Sequence, residues 1–452
     1  MAEGDLVGKR RGPVHARRGL TKESKNRLSE LGRQLPPMGD DDLKAIATER
    51  VARFWRVLLV TGLVVALLLL AVGAGIQWFR PIPRPAFRPS VAAAVSLPGA
   101  APTLPWPASG EAAMGVEGVG SFGGVHETQP VPIAGLADVL TAYVVLRDHP
   151  LDQDSSGPKL TVDAQTLASY QTGTAAQDAE VKVTQGETLS ELAALQGLLV
   201  DSGNDMATLL ADWDAGSTSA FVTKMNEVAG SLGLRSTHIT DPSGLDSATV
   251  SSPADLVRLG EASMAIGSFR QIVDLGQATL PVDGLEYNLN FDLGQDGIVG
   301  IKTGSDAAAN GCYLFASVQS VAGRNVTVIG AVLGQPGASP NTAAVEAGDQ
   351  LLRAAFASIR SLPLLPVGHV VGQVVEPWGA SAPVVVTASE PVIGWAGLAI
   401  PFRVGVDLPA APLKAGVEVG ALVADQNGQK ARVVLRTTGP LSGPSAFWRM
   451  TR

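Results

Sequence analysis

The feature that most constrains this chain is an uncharged apolar segment, VLLVTGLVVALLLLAVGAGI, at positions 57–76. At ~1.5 Å rise per residue, a helix of this length spans a hydrocarbon core ~30 Å thick. Trp55, Trp78 and Phe79 flank the segment, as aromatic residues do at membrane interfaces. No small-residue cleavage site follows, which favours an uncleaved signal anchor over a removable signal peptide. We predict a single transmembrane anchor over 57–78, with the membrane contacted through 57–76.

The charge distribution indicates how the chain is oriented. Residues 1–56 carry thirteen Lys and Arg against eight Asp and Glu, whereas the whole chain has a net charge of −8. An excess of basic residues before a span favours a cytoplasmic N-terminus. We therefore expect 1–56 to be a disordered cytoplasmic tail and the folded part to lie outside a cell membrane that it crosses once. The acidic remainder has no basic face for nucleic acid.

Composition limits the chemistry further. The chain has 452 residues, 46% of them apolar, enough for two or three folded units. It has one cysteine, Cys312, and five scattered histidines, so we expect no intrachain disulfide, no Cys or His metal site and no cofactor. Cys312 lies in an apolar run and is expected to be a packed core thiol.

The pattern along the chain predicts two folded domains after a Pro-rich linker at 79–105. In 106–362, a helix starting near Ala134, a helix after a capping box from Thr188 to Glu191, and a helix opened by Ser252 and Pro253 precede strand patterns. These strands, GIVGIKTG, CYLFASVQS and NVTVIGAVLG, with AGRN as a turn, predict an antiparallel sheet in an α/β (α+β) domain. Residues 363–452 read as a small all-β domain with an Asn427-Gly428 hairpin turn.

Two short motifs and five longer stretches carry a family resemblance. Ser202-Gly203-Asn204 precedes a helix near Asp205, and Lys302-Thr303-Gly304 closes the strand GIKTG. Around them, PVPIAGLADVLTAYVVLRDHPL, GETLSELAALQGLLVDSGNDMATLLA, AFVTKMNEVAGSLGLRSTHITDPSGLD, GIVGIKTGSDAAANGCYLFAS and APLKAGVEVGALVADQNGQK appear in order. Together they resemble the D-alanyl-D-alanine carboxypeptidases, low-molecular-mass penicillin-binding proteins of the active-serine type. The resemblance implies a penicillin-binding-protein/β-lactamase-like domain followed by a β-rich domain.

The resemblance also implies that the nucleophile motif is degenerate. The family has a serine and, three residues later, a lysine at the start of a buried helix, where the amine acts as base on the hydroxyl. Gly135 and Asp138 stand at these positions. Glycine cannot form an acyl-enzyme. The nearest hydroxyl on this helix, Thr141, is expected to face the core.

The remaining motif residues are those that bind substrate in the family. The resemblance implies that Lys302 and Thr303 receive the terminal carboxylate of a peptidoglycan stem peptide and that Asn204 contacts its amides. The resemblance also implies that Ser202 matches a serine that the family uses for proton transfer, and that the strand with Gly304 and Ser305 would pair with the peptide. We further predict that Asp138 and Lys302 form a salt bridge filling the former catalytic pocket.

Three hypotheses stay open from the sequence. The first is a non-catalytic protein of the cell envelope that binds the D-Ala-D-Ala end of stem peptides weakly or serves as a partner for active cell-wall enzymes. The second is a working serine-type D-Ala-D-Ala carboxypeptidase that uses Ser202, or a water activated by Asp138. The third is an architectural spacer whose cleft has no ligand. We favour the first, a pseudoenzyme.

Overall fold

The computed structural model describes residues 22, 27, 39–152, 154–410, 412–426 and 429–452. These residues form two compact units, one of 83–443 and one that combines the stretch up to Ile82 with 444–452. Most of the predicted tail and the Asn427-Gly428 turn lie outside the described residues. The strands on either side of that turn do pair antiparallel, with Gln426 opposite Gln429.

The helices have the following bounds. They are α1 (Asp40–Phe79), α2 (Ala137–Asp148), α3 (Ala164–Ala176), α4 (Glu191–Leu199), α5 (Asn204–Ala215), α6 (Thr218–Ser231), α7 (Pro253–Met264), α8 (Gly267–Val273), α9 (Pro340–Ser358) and α10 (Ala446–Thr451), with 3₁₀ turns at Ala134–Leu136 and Gln295–Gly297.

The strands are shorter and more numerous. They are β1 (Ala86–Pro89), β2 (Ala94–Ser96), β3 (Glu111–Val116), β4 (Gly120–Val125), β5 (Val131–Pro132), β6 (Lys159–Thr161), β7 (Thr188–Ser190), β8 (Val250–Ser251), β9 (Gln277–Leu280), β10 (Gly284–Tyr287), β11 (Ile298–Asp306), β12 (Asn310–Val321), β13 (Arg324–Gln335), β14 (Arg360–Pro363), β15 (Val370–Val375), β16 (Ser381–Ser389), β17 (Pro391–Gly394), β18 (Ala399–Pro401), β19 (Arg403–Val406), β20 (Glu418–Gln426) and β21 (Gln429–Thr437).

The apolar helix α1 is longer than the predicted span. Among the described residues it is the one helix whose length and composition allow it to cross a membrane, over Lys44–Phe79. It begins at Asp40, so residues 40–56, predicted to be disordered, are helical. The difference arises because 40–56 contain Leu, Ala, Ile and Val among their charges and have no helix breaker, so the helix continues upstream of the apolar segment.

An antiparallel five-stranded sheet with helices on both faces forms the core of the larger unit. The strand order is β11-β12-β13-β3-β4. One face packs against α2 and the other helices from the middle of the chain, and the opposite face packs against α9 through Ala344, Leu351 and Leu352. Ala322 and Gly323 join β12 to β13 with positive φ at both positions, the geometry that matches strand twist in a two-residue hairpin. The predicted antiparallel α/β domain is confirmed.

Helix starts were predicted with mixed success. Ser252 caps α7, accepting a hydrogen bond from the Asp255 N–H, and Pro253 is its first residue, as predicted. The capping box from Thr188 to Glu191 is wrong. Ser190 caps α4 by accepting from the Ala193 N–H, and Thr188 lies in β7. Serine and threonine at neighbouring positions both fit a cap, so the sequence alone did not separate them.

The β-rich part contains a six-stranded antiparallel sheet in the order β1-β15-β16-β21-β20-β19. Its first strand comes from the region predicted to be an extended linker. Phe87 in β1 lies opposite Val374 in β15, β2 pairs with β18, and Leu97 is 1% exposed in the core of this sheet. The linker prediction for 79–105 is therefore wrong from Ala86 onwards. The proline content suggested a spacer, whereas the apolar residues between the prolines complete a distant sheet.

Candidate active site

The degenerate nucleophile positions lie at the entry to the buried helix α2. Residues Ala134–Leu136 form a 3₁₀ turn that leads into α2, so Gly135 sits one turn before Asp138. Ala134 has a φ of 45°. The neighbouring loop comes very close, because a Cβ on Gly244 would lie 1.9 Å from the Ala134 carbonyl oxygen. The segment PSGL, residues 242–245, thus restrains the backbone at Gly135.

The strand β11 passes directly in front of this turn. A Cβ on Gly304 would lie 2.9 Å from the Gly135 nitrogen and 3.2 Å from its Cα, closer than a side chain allows. The motif Lys302-Thr303-Gly304 is therefore inside a strand, and the expectation of a strand end is wrong by two residues. Its glycine is required because two backbones meet there.

Behind Gly135, Asp138 and Lys302 form a buried ion pair. The Asp138 Oδ2 to Lys302 Nζ distance is 3.7 Å, and the two side chains are 1% and 2% exposed. Lys302 Nζ also donates to Ser202 Oγ and, at 2.9 Å, to the Thr303 carbonyl oxygen. Neither oxygen of Asp138 accepts a hydrogen bond. The salt bridge predicted from the sequence is confirmed, as an ion pair without a direct hydrogen bond.

Burial controls the protonation of this pair. Loss of solvent raises the pKa of Asp138 well above its usual range, and the nearby Lys302 opposes that shift. Burial likewise lowers the pKa of Lys302, opposed by Asp138. Each group favours the neutral form when alone and the charged form when its partner is charged, so the two titrate as one unit.

The Ser202-Gly203-Asn204 motif is held by the segment 179–181. Both the backbone N–H and the side-chain amide of Asn204 donate to the Ala179 carbonyl oxygen, at 3.0 and 2.8 Å. Glu180 accepts from the Asp205 N–H, and Asp205 accepts from the Val181 N–H. The bonds from the Asn204 and Asp205 N–H groups satisfy two of the free N–H groups at the start of α5. Ser202 has a φ of 64°, which turns the chain into the site.

These elements surround a cleft of about 430 Å³. Of the predicted site residues, Gly135, Ser202, Asn204, Thr303, Gly304 and Ser305 line it, while Asp138 and Lys302 lie beneath them. Two walls of the cleft were not predicted from the sequence: one is formed by Gln177, Asp178 and Ala179, and the other by Ser243, Gly244 and Leu245. The PSGL turn was a signal for the second wall, and nothing in the sequence pattern marked the first.

Three further residues near the site or in the core have structural roles. Thr141 is fully buried and donates to the Pro242 carbonyl oxygen at 2.7 Å, so it does not face the cleft. Asp241 accepts hydrogen bonds from the backbone of Ser243 and Gly244 and shapes the turn. Cys312 is buried in the core, where loss of solvent raises its pKa to about 12.

The fold is that of penicillin-binding proteins. Penicillin-binding protein 5 from Haemophilus influenzae has a similar fold, with a TM-score of 0.53 over 75% of this chain and 99% of that one, at 20% identity. The chain belongs to the D-alanyl-D-alanine carboxypeptidase family, whose model matches residues 124–337.

Two relatives support this assignment. The D-alanyl-D-alanine carboxypeptidase of Streptomyces sp. (strain K15) is 30% identical over 212 residues, which cover 43% of this chain and 69% of that protein. The D-alanyl-D-alanine carboxypeptidase DacB2 of Mycobacterium tuberculosis is 34% identical over 204 residues, covering 44% and 65%. The chain thus spans about two thirds of the length of these relatives.

Proposed function

We propose that this protein is a membrane-anchored homologue of the D-alanyl-D-alanine carboxypeptidases that binds peptidoglycan stem peptides at their D-Ala-D-Ala end without forming an acyl-enzyme. One observation carries the proposal: Gly135 occupies the nucleophile position, and the buried Asp138–Lys302 pair fills the space behind it. An acyl-enzyme needs a side-chain nucleophile and a base beside it. Gly135 provides no such nucleophile at the start of α2.

The cleft retains features that suit peptide binding. Thr303, Gly304 and Ser305 lie in β11, which is an edge strand of the five-stranded sheet and lines the cleft. An extended peptide added to such an edge gains main-chain hydrogen bonds. The protein would then act as a binding or scaffold component beside active cell-wall enzymes.

The test is acylation by a fluorescent penicillin, followed by intact-mass analysis of the full chain in detergent. We expect no adduct on the natural protein and an adduct on the double variant Gly135→Ser, Asp138→Lys. The serine fits, because a Cβ at position 135 would have its nearest neighbours at 3.4 to 3.8 Å, ordinary contact distances. An adduct on the natural protein would refute the proposal.

A second candidate function is hydrolysis without the usual nucleophile. Ser202 Oγ accepts a hydrogen bond from Lys302 Nζ, and Asp138 Oδ2 lies 3.4 Å from the Cβ position of residue 135, where a water could be activated. Release of D-Ala from a pentapeptide would favour this candidate. Its loss in Ser202→Ala would assign the reaction to the serine, and its loss only in Asp138→Asn would assign it to the water.

For the membrane, we propose that α1 crosses once with its N-terminus in the cytoplasm and 83–443 outside. The basic excess before the span supports this orientation. A cysteine introduced at the exposed Gln171 should react with an impermeant maleimide on intact cells, while the buried Cys312 should stay silent. Labelling only after lysis would reverse the orientation.

A further inference from the structure

We infer that the cleft selects peptides whose carboxyl group is capped as an amide, as in an internal segment of a longer or cross-linked peptide, over peptides that end in a free carboxylate. The inference rests on the proposed function, because it specifies which peptides the same cleft takes. Three observations carry it: the charge of the cleft walls, the position of Lys302 and the identity of residue 138.

The walls of the cleft are acidic. Among the described residues that line it, the charged ones are Asp178 on one wall and Asp306 on the other, and none is Lys or Arg. Leu245 and Leu289 provide apolar surface between them. A ligand carboxylate entering here would meet carboxylates and find no cation at the surface of the cleft.

Lys302 does not supply the missing cation. Its side chain is 2% exposed and lies below the residues that line the cleft. An ammonium group has three protons to donate. Lys302 directs them to Ser202 Oγ, to the Thr303 carbonyl oxygen and towards Asp138. A ligand carboxylate could contact Lys302 only by displacing one of these groups.

Residue 138 changes the balance further. The family motif has a lysine here, whereas Asp138 in this chain places a negative charge beneath the cleft and neutralises Lys302. The neutral pair offers a ligand anion no net attraction, and the loss of one favourable unit charge ~6 Å from that anion, at an effective dielectric of ~20, weakens binding about a hundredfold before salt screening. An amide cap carries no charge and so avoids this loss.

The shape of the site also suits a chain that continues past the D-Ala residue. The lining runs along β11 from Thr303 to Asp306 and on to Ala307 and Asn341. Of the described strands, β12 alone pairs with β11, so the other edge is available to an extended peptide. The amide cap also has an N–H group that can donate a hydrogen bond to a carboxylate on the cleft wall. A free carboxylate on the peptide has only acceptor oxygens.

The test compares two peptides that differ only at the carboxyl end. They are diacetyl-L-Lys-D-Ala-D-Ala as the free acid and as the carboxamide, titrated calorimetrically into the full-length protein in nanodiscs. We expect the carboxamide to bind at least ~10-fold more tightly, with the difference shrinking at high salt. Equal or tighter binding of the free acid would overturn the inference and leave the proposed function standing. If neither peptide binds, both fail.

Two variants locate the effect. Asp138→Lys, which keeps Gly135 and so cannot acylate, should shift the preference towards the free acid by at least ~10-fold. The matched control Asp154→Lys makes the same charge change at an exposed position outside the cleft and should leave the preference unchanged. Should Asp138→Lys fail to fold, Asp178→Asn on the cleft wall should narrow the preference several-fold. An unchanged preference in that variant would contradict the role of the acidic wall.

Discussion

Asp138 Oδ2 lies 3.7 Å from Lys302 Nζ, and both side chains are buried. The residues at two positions that the family resemblance associates with the active site therefore form an ion pair in this chain. The sequence places them 164 residues apart, on a helix and on a strand. Their pairing joins α2 to the edge of the five-stranded sheet. The first prediction concerns what this contact does for stability.

Removing one partner of the pair should destabilise the protein more than removing both. Asp138→Ala leaves the Lys302 ammonium buried without its counter-charge and should cost about 3–5 kcal/mol of unfolding free energy, measured in urea. The double variant Asp138→Leu, Lys302→Met should recover much of that loss. If the double variant loses as much unfolding free energy as the two single variants together, the interaction between the two side chains contributes nothing to stability.

The stability of the protein should fall as pH rises, because a carboxyl group at the start of α5 is buried. Burial, with Glu180 close by, raises the pKa of Asp205 from 3.8 to about 8. The folded state therefore binds this proton more tightly than the unfolded state, and the contribution is full below pH ~4 and lost as pH approaches 8. Asp205→Asn keeps an acceptor for the Val181 N–H. This variant should reduce the change in melting temperature between pH 5 and 8.

The control for that prediction is Asp154→Asn, at an exposed aspartate. It should keep the full pH dependence of the natural protein. If Asp205→Asn melts with the same pH dependence as the natural protein, the buried proton is not on Asp205.

Two glycines of the site should respond differently to a methyl group. Gly304→Ala would place a Cβ 2.9 Å from the Gly135 nitrogen, where backbone must move, and should cost about 2–3 kcal/mol. Gly135→Ala meets its neighbours at 3.4 Å or more and should change the free energy of unfolding by less than ~1 kcal/mol. Comparable melting temperatures for the two variants would refute the close approach of β11 to the turn at Gly135.

Residues 83–105, which precede the predicted domain at 106–362, should contribute to the stability of the protein. Leu97 is 1% exposed in the core of the β-rich part, so Leu97→Ala should cost about 2–4 kcal/mol. The exposed Val367→Ala should cost almost nothing. A fragment beginning at 106 lacks β1, β2 and Leu97 and should melt well below one beginning at 83. Equal melting temperatures would show that this segment is only a spacer.

The sequence predicted those features that local patterns record. The apolar positions Leu136, Val139, Leu140 and Val144 recur at helical spacing, and all four are buried in α2. The family resemblance of the two motifs also implied that Ser202 and Lys302 share one site, although they are a hundred residues apart. In both cases the signal lies in residue types that the local backbone or the chemistry requires.

The features that were missed depend on contacts between distant segments. Strands β1 and β2 are four and three residues long, too short for a period-two pattern, and their partners lie in the other half of the chain. Asp178 belongs to the cleft only because Ala179 receives two hydrogen bonds from Asn204. Propensity and periodicity do not record such long-range pairing.

The pairing of β1 with β15 sets an order of events during synthesis. β1 is among the first parts of the larger unit to leave the ribosome, and its partner is made only after the whole five-stranded sheet and its helices. The peptidase-like core can therefore form while β1 still waits for β15. The β-rich part closes last, so a nascent chain that stalls before β15 would carry an unpaired β1.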